Sequence, residues 1–332
     1  MAKIHPISAY GAAVIAMLLA GIPSAAQVPI IQPEFSLTKI SPLYFGPYTF
    51  PLPENNLGRI DTELRADLAF DYVHGHMGDR TIAPTFLLNL PLWTDRASVR
   101  VWGEFHEWYT DTPETHVFRR IQDKYPLQGN DSGNIFMSLD LQLLRERRYI
   151  PSVAFRTIFL FATGDKYECA RHYDAPGYAF DLTVGKDFVF GGGASGAHSL
   201  RPSAGIGFVC WQIDRGDQND ALLLEAGLSY KYSWLGLSAS YGQYTGRIGK
   251  GLPDSTEPEG DAPKTVSARL DVRFGMFAPF ICFQYGLQDW PFTQLRAGLS
   301  LRLGNPLKKR GVQGPTRGGC PTTTSSESEN EK

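Results

Sequence analysis

Arg59-Ile60-Asp61-Thr62-Glu63-Leu64-Arg65-Ala66-Asp67-Leu68-Ala69-Phe70-Asp71-Tyr72 is a stretch in which apolar and charged side chains alternate. Side chains of an extended strand point to opposite faces in turn, so a strand here has one apolar face and one charged face. A helical period of 3.6 would scatter both sets around the axis. The stretch predicts a strand of a soluble sandwich or of a membrane barrel, whose charged face would point into the lumen.

The chain after this stretch favours the barrel, because it continues as about twelve strand-like segments of the length that a tilted membrane-spanning strand needs. The predicted fold class is all-β, a transmembrane antiparallel β-barrel. The predicted strands are 59–73, 80–92, 96–110, 134–144, 150–163, 177–189, 200–213, 221–233, 235–246, 264–275, 277–287 and 293–304.

The lengths of the connections support the same prediction. With the N-terminus in the periplasm, alternate connections face outward, and the three longest, 111–133, 164–176 and 247–263, all fall on that side. Most inward turns are short, with 190–199 as the exception. Short periplasmic turns and longer external loops are typical of outer-membrane barrels, whereas a soluble sandwich has no reason to alternate loop lengths.

Residues 1–26 have the pattern of a secretory signal peptide. A polar start is followed by an apolar run over 9–22, and Ser24-Ala25-Ala26 offers small residues for cleavage. The run is shorter than the roughly 20 residues that a membrane helix needs, which disfavours a retained anchor. Export to the outer membrane of a Gram-negative cell is therefore the predicted localisation.

Residues 27–58 and 305–332 flank the predicted barrel, which occupies 59–304. The first segment is rich in proline, which excludes a central strand, but it carries too many apolar side chains for a solvated linker. We predict a periplasmic N-terminal segment packed against the barrel mouth or the lumen, with an unstructured leader as the alternative. The second segment is almost without apolar side chains and predicts a disordered tail.

Composition limits the partners. The formal charge of −2 gives no indication of nucleic-acid binding, and outer-membrane lipid and small solutes are the predicted partners. The oligomeric state stays open. The four widely spaced cysteines, Cys169, Cys210, Cys282 and Cys320, form no metal-binding motif, and a disulfide after export is possible without a defined pairing.

Two short runs resemble a family of outer-membrane β-barrel proteins of unknown function. They are Ser41-Pro42-Leu43-Tyr44-Phe45-Gly46-Pro47, followed by Pro51-Leu52-Pro53, and Tyr173-Asp174-Ala175-Pro176-Gly177-Tyr178-Ala179-Phe180-Asp181. The resemblance implies a porin-like barrel in the outer membrane, and it implies no substrate. The absence of an aromatic residue at the end of the chain departs from many such barrels.

The charged faces of the strands, formed by alternate residues, supply the candidate functional residues. Closure makes the first and last strands neighbours, so acidic residues of the first strand are expected to meet Arg296 and Arg302. They could form a constriction that selects ions or solutes, or a salt-bridged filling without selectivity. The predicted lumen-lining residues are Asp61, Glu63, Arg65, Asp67, Asp71, Arg100, Glu104, His106, Arg269, Asp271, Arg273, Arg296 and Arg302.

Catalysis is the other class of function that the sequence raises. His198-Ser199 is the only adjacent His–Ser pair, but neighbours on a strand point to opposite faces, which separates the hydroxyl from the imidazole. Asp111 with His116, or His172 with Asp174, could meet in external loops as in a surface protease. We predict no catalytic, cofactor-binding or metal-ligating residue and no cofactor, while an outer-membrane lipid hydrolase is not excluded.

The sequence therefore predicts a passive channel or uptake component for small solutes. The alternative from another class is a structural or adhesive outer-membrane protein with a filled lumen, which would act through its external loops.

Overall fold

The computed structural model describes residues 40–52, 54–92, 96–164, 166–191, 197–212, 218–246 and 260–304. The predicted signal peptide, residues 27–39 of the predicted N-terminal segment and the whole predicted tail, with Cys320, lie outside these residues. Within them the chain forms one antiparallel sheet that closes on itself, because β1 pairs with β2 on one side and with β15 on the other.

Twelve strands form the wall of the barrel, in the order β1, β2, β3, β6, β7, β8, β10, β11, β12, β13, β14 and β15. Their bounds are β1 Arg65–Gly75, β2 Arg80–Pro91, β3 Ala97–Glu104, β6 Ile135–Leu144, β7 Ser152–Phe161, β8 Gly177–Gly185, β10 His198–Gln212, β11 Gln218–Tyr232, β12 Leu235–Thr245, β13 Lys264–Val272, β14 Phe277–Gln288 and β15 Phe292–Arg302. The predicted fold class and strand number are confirmed.

Three further strands lie outside the wall. The hairpin of β4 (Glu107–Thr110) and β5 (Gln128–Asp131) extends from the start of β2, and β9 (Phe188–Phe190) pairs with the start of β10. A short helix, α1 (Pro113–Arg119), lies between β4 and β5 and is capped by Thr112, whose hydroxyl accepts a hydrogen bond from the Thr115 N–H. A single 3-10 turn covers Tyr167–Cys169.

The outer surface of the barrel is apolar. On β1, Leu68 and Phe70 are 63% and 66% exposed. Asp67, which precedes this pair, and Asp71, which follows it, are buried toward the lumen. Large apolar side chains are likewise exposed on β2, β11, β14 and β15. Such a continuous apolar surface is unstable in water and is typical of a strand-built membrane protein. No helix in the described ranges is long and apolar enough to cross a membrane.

The two ends of the barrel differ. At one end, which we call the turn end, neighbouring wall strands are joined by 92–96, 145–151, 186–197, 233–234 and 273–276. At the other, the loop end, the joining segments include 105–134, 162–176 and 246–263, which are the longest in the barrel. The predicted alternation of short turns and long loops is therefore present, and 186–197 is again the long turn.

Two predicted strands differ from the observed ones. The first begins at Arg65 rather than at residue 59, because Asp61 accepts a hydrogen bond from the Glu63 N–H in a local turn before the strand. The predicted strand 96–110 breaks after Glu104, where the Phe105 N–H bonds to the Pro84 carbonyl, and resumes as β4 on a different set of partners.

Residues 40–52 and 54–60, which we call the lumen segment, run through the inside of the barrel. Ile40 lies at the loop end, where its carbonyl accepts a hydrogen bond from the Trp211 indole, 3.2 Å away. Leu57 lies at the turn end, where its carbonyl accepts from Arg201 Nε at 2.7 Å. The segment predicted to be periplasmic thus occupies the lumen over its described part, because its apolar side chains pack against the wall.

Candidate functional site: the barrel lumen

A cavity of about 160 Å³ lies between the lumen segment and the wall formed by β1, β2, β3, β6, β7, β13, β14 and β15. Tyr48, Phe50 and Glu54 of the lumen segment line one side. Six of the predicted lumen residues line it as well, namely Arg65, Asp67, Arg100, Glu104, Arg269 and Arg296. Apolar side chains such as Phe86 and Phe280 complete the lining. A space of this size beside charged groups can hold several water molecules. The lumen segment therefore narrows the lumen and leaves a partly polar space on one side of it.

Asp71 is the centre of the ion pairing beside this cavity. It pairs across the barrel closure with Arg296, whose Nε and Nη2 donate to its two carboxylate oxygens at 2.7 and 2.8 Å. Tyr48 OH of the lumen segment and Gln294 Nε2 also donate to Asp71, at 3.0 and 2.5 Å. The carboxylate thus joins the first strand, the last strand and the lumen segment.

A second group of predicted residues meets at the turn end. Glu63 lies 3.1 Å from Arg273 and 3.3 Å from Arg302. Asp61 pairs with Arg65 at 2.9 Å. Because β1 begins only at Arg65, Asp61 and Glu63 precede the strand and close the turn end of the lumen rather than lining its length.

The other predicted residues are paired within the wall. Arg65 reaches Asp67 at 3.1 Å, Arg269 reaches Asp271 at 2.9 Å, and Arg100 reaches Asp140 at 2.8 Å. Each of these arginines therefore has a carboxylate partner. This is the arrangement expected of a salt-bridged filling, in which buried charges satisfy one another.

His106 differs from the prediction. Its ring packs against Trp108 with the ring centres 4.8 Å apart, and the Trp108 side chain is half exposed. The break after Glu104 shifts the alternation of inward and outward side chains by one residue. Glu107 and Tyr109 are therefore buried in place of His106. The alternation of β3 could not be extended across that break.

An apolar cluster adjoins the cavity inside the barrel. Tyr44, Phe45 and Phe50 of the lumen segment pack into a buried cluster with wall residues that include Trp211 and Tyr244. Phe50 and Trp211 have ring centres 5.5 Å apart, and Phe45 is fully buried. The remaining buried members are Ile40, Ile121, Phe136, Ile158, Leu160, Ala170, Ala179, Val209, Ala221 and Leu223. Burial of this apolar surface holds the lumen segment against the wall.

Polar contacts fix the register of the lumen segment below this cluster. Arg156 Nη2 donates to the Glu54 carbonyl at 2.5 Å, and Arg156 Nε donates to Asp181 at 2.6 Å. Ser203 Oγ donates to Asn55 Oδ1 at 2.8 Å. These wall side chains compensate for the hydrogen bonds that an extended chain in the lumen cannot make with itself.

A buried charged cluster at the loop end was missed by the sequence analysis. His172 lies 2.7 Å from Asp131 through Nδ1 and 3.1 Å from Glu104 through Nε2. Arg171 donates to both oxygens of Glu107, at 2.8 and 2.9 Å. These residues come from three separate segments of the chain, so no spacing in the sequence could have brought them together.

Burial and partners shift the pKa values of loop-end groups. Burial acts to lower the pKa of His172, but the hydrogen bonds to Asp131 and Glu104 outweigh it and raise this pKa to about 10. Burial raises the pKa of Asp111, although Arg171 and Arg119 act against it. At the turn end, burial would raise the pKa of Asp187, but Arg201 and Arg59 hold it below its ordinary value.

The pairs considered for catalysis have other partners in the structure. His198 Nδ1 lies 2.6 Å from Tyr230 OH, while Ser199 Oγ donates to Asp187 at 3.2 Å, so the two side chains diverge as strand geometry requires. Asp111 and His116 do approach each other, at 3.8 Å, but both are buried beneath the loops. Among the described residues Cys169, Cys210 and Cys282 are free thiols.

No protein-family model and no curated protein sequence matches this chain. Solved structures do match in fold. The NanC porin aligns with 9% identity over 72% of this chain and 100% of its own, with a TM-score of 0.45. An outer-membrane channel from Pseudomonas putida F1 aligns with 8% identity over 76% and 100% of the two chains, with a TM-score of 0.40. The transport unit of the autotransporter AIDA-I from Escherichia coli aligns with 8% identity over 76% of this chain and 92% of its own, with a TM-score of 0.40.

The strand pairing itself shows that the chain is a closed barrel of twelve antiparallel strands. Its apolar outer surface and its alternation of short turns and long loops are those of proteins of the outer membrane.

Proposed function

We propose that this protein is an outer-membrane channel for small solutes whose passage is restricted by its own lumen segment. The observation that carries the proposal is the cavity of about 160 Å³ beside that segment, lined by charged side chains of the wall. A polar lumen surface is what a water-filled channel needs, and displacement of the segment would widen the space along β1 and β15.

The contacts of the lumen segment favour a closed resting state. Its aromatic side chains are buried in the apolar cluster, and its carbonyls are held by Arg156 and Arg201. Release of the segment would expose this apolar surface to water, which disfavours the open state. The proposal therefore includes low basal conductance that rises when contacts of the segment are weakened.

The second candidate is a structural or adhesive protein with a permanently filled lumen. It is favoured by the same apolar cluster, because fully buried side chains such as Phe45 resemble those of a globular core. In this case the long connections at the loop end would carry the function.

Single-channel recording in planar bilayers separates these candidates. The matched proteins are the full chain and a variant in which residues 41–56 are replaced by a Gly/Ser linker of equal length. The channel proposal predicts small, infrequent current steps for the full chain and large, stable steps for the variant. A variant that folds, by its heat-modifiable migration, but carries no current would overturn the channel proposal. Turnover of phospholipid in the same preparation would indicate the hydrolase instead.

A further inference from the structure

The β4–β5 hairpin at the loop end places two carboxylates directly opposite each other. Glu107 and Asp131 are cross-strand partners in this hairpin, and both are buried. Like charges in that position destabilise a strand pair. Burial makes their repulsion stronger, because little water screens it. Arg171 compensates the charge of Glu107, and a further positive group between these two side chains would compensate that of Asp131.

His172 lies at that position. Its Nδ1 is 2.7 Å from Asp131 Oδ2 and 3.9 Å from Glu107 Oε1, and its side chain is fully buried. One atom from each residue, the histidine nitrogen and an oxygen of each carboxylate, lies within 4.8 Å of the other two. In a tetrahedral zinc site, bonds of about 2.0–2.1 Å place the ligand atoms about 3.3 Å apart, so small adjustments would bring these atoms into position.

The surrounding groups are those that support a metal-bound histidine and carboxylate. Glu104 Oε1 lies 3.1 Å from His172 Nε2 and can accept a hydrogen bond from the Nε2–H, which leaves Nδ1 free to act as a ligand. Such a carboxylate behind a metal-ligating histidine fixes its tautomer and orientation. The Lys166 N–H donates to Asp131 at 3.2 Å, and Arg171 holds both oxygens of Glu107.

The local charge also fits a divalent cation. Glu104, Glu107 and Asp131 contribute three negative charges, and Arg171 contributes one positive charge. When a metal ion takes the place of the His172 Nδ1 proton, the histidine is neutral, and these five side chains carry an excess of two negative charges in a buried site. Buried charges of this kind are paired or bind a metal ion.

We propose that Glu107, Asp131 and His172 bind a divalent transition-metal ion of the zinc type at the loop end of the barrel. One nitrogen and two oxygens form a donor set that suits zinc. Calcium fits less well, because it takes six to eight oxygen ligands. None of the three proposed ligands lines the cavity, although the supporting Glu104 does. Failure of the metal site would therefore leave the channel proposal untouched.

The ion would fasten the loop that holds the lumen segment. The carbonyl of Arg171 accepts a hydrogen bond from Thr49 Oγ1 at 2.5 Å, and the carbonyl of Ala170 accepts from the Gly46 N–H at 2.9 Å. His172 follows these two residues directly. A metal that joins His172 to the β4–β5 hairpin therefore fixes the backbone that clamps the lumen segment.

Isothermal titration of the EDTA-treated full chain with zinc chloride tests the site. We expect one zinc ion per chain, and loss of binding in Asp131→Asn and in Glu107→Gln. Glu104→Gln removes only the supporting carboxylate, so zinc affinity is expected to fall about 10–100-fold. Glu146→Gln, which changes an acidic residue at the turn end, is the control and is expected to bind as the full chain does.

X-ray absorption at the zinc edge gives a readout that does not depend on the variants folding. One nitrogen of imidazole and two carboxylate oxygens are expected in the ligand shell of the full chain. No zinc binding by the full chain, an absorption spectrum without an imidazole ligand, or unchanged affinity in folded Asp131→Asn would overturn the proposal. In that case a proton on His172 is the positive charge between the two carboxylates.

Discussion

Asp71 and Arg296 join the first and last strands of the barrel, with their side chains 2.7 Å apart and in direct cross-strand register. Asp71 is fully buried and also accepts from Tyr48 OH of the lumen segment. Closure of the wall and placement of the lumen segment therefore depend on the same carboxylate.

Replacement of Arg296 by Gln is predicted to destabilise the folded barrel by about 3–5 kcal/mol, because it leaves the buried Asp71 without its charge partner. Urea titration in detergent micelles, followed by heat-modifiable migration, measures the change. Arg273→Gln is the matched control. Arg273 is half exposed where it pairs with Glu63, and its loss is expected to cost less than about 1 kcal/mol. Equal effects of the two substitutions would contradict the role given to Asp71.

The apolar outer surface predicts a lipid contact at the middle of β1. Phe70→Arg places a charge on this surface and is expected to destabilise the barrel by about 2–4 kcal/mol when it is refolded in lipid vesicles. The control, Leu303→Arg, lies just beyond the end of β15, where a charge costs about 0–1 kcal/mol. A neutral effect of Phe70→Arg would mean that this face does not contact the hydrocarbon.

Loss of Phe45 is predicted to loosen the lumen segment. This side chain is fully buried in the apolar cluster, and Phe45→Ala should cost about 3–5 kcal/mol locally. Planar-bilayer recording is expected to show a higher open probability than in the full chain. Val117→Ala, at an 80% exposed position of α1, should leave both stability and current unchanged. Current that does not respond to Phe45→Ala would favour the permanently filled lumen.

Acid is predicted to weaken the turn end through Asp187. Arg201 Nη1 lies 3.0 Å from its carboxylate, and the pKa of Asp187 is below its ordinary value of about 3.9. A carboxylate with a lowered pKa adds stability above its unfolded pKa, and this stability is lost as pH falls through the folded pKa. Asp187→Asn should therefore flatten the fall in urea midpoint below about pH 4. Glu114→Gln, at an exposed position of α1, is the control and should leave the fall in urea midpoint unchanged.

Strand alternation was enough to predict the wall of the barrel. On β1 the side chains alternate between the outer surface and the lumen. The sequence alone therefore assigns Leu68 to the outer face and Asp67 to the inner face. That some acidic residue of the first strand would meet Arg296 followed from closure alone, since closure makes the first and last strands neighbours. The position of His106 did not, because the chain leaves its register after Glu104.

The interior of the lumen could not be predicted in the same way. The proline-rich lumen segment has no periodicity, and its path depends on distant partners such as Trp211 and Arg156. The loop-end cluster likewise joins Glu107, Asp131 and His172 from segments that are far apart in the chain. Contacts of this kind are set by tertiary packing, which leaves no local pattern in a single sequence.

The central claim is that the lumen segment lies inside the barrel in a fixed register. Asn55 and Ser203, whose side chains are 2.8 Å apart, test it most directly when both are replaced by Cys in a background without the native cysteines. A short bifunctional thiol reagent is added to the folded protein, and the linked peptides are identified by mass spectrometry. We predict efficient linkage of residues 55 and 203, and none in a control pair of Asn55→Cys with Ala239→Cys, because residue 239 lies on the outer surface of β12. Equal linkage in both pairs, or none in either, would contradict the claim.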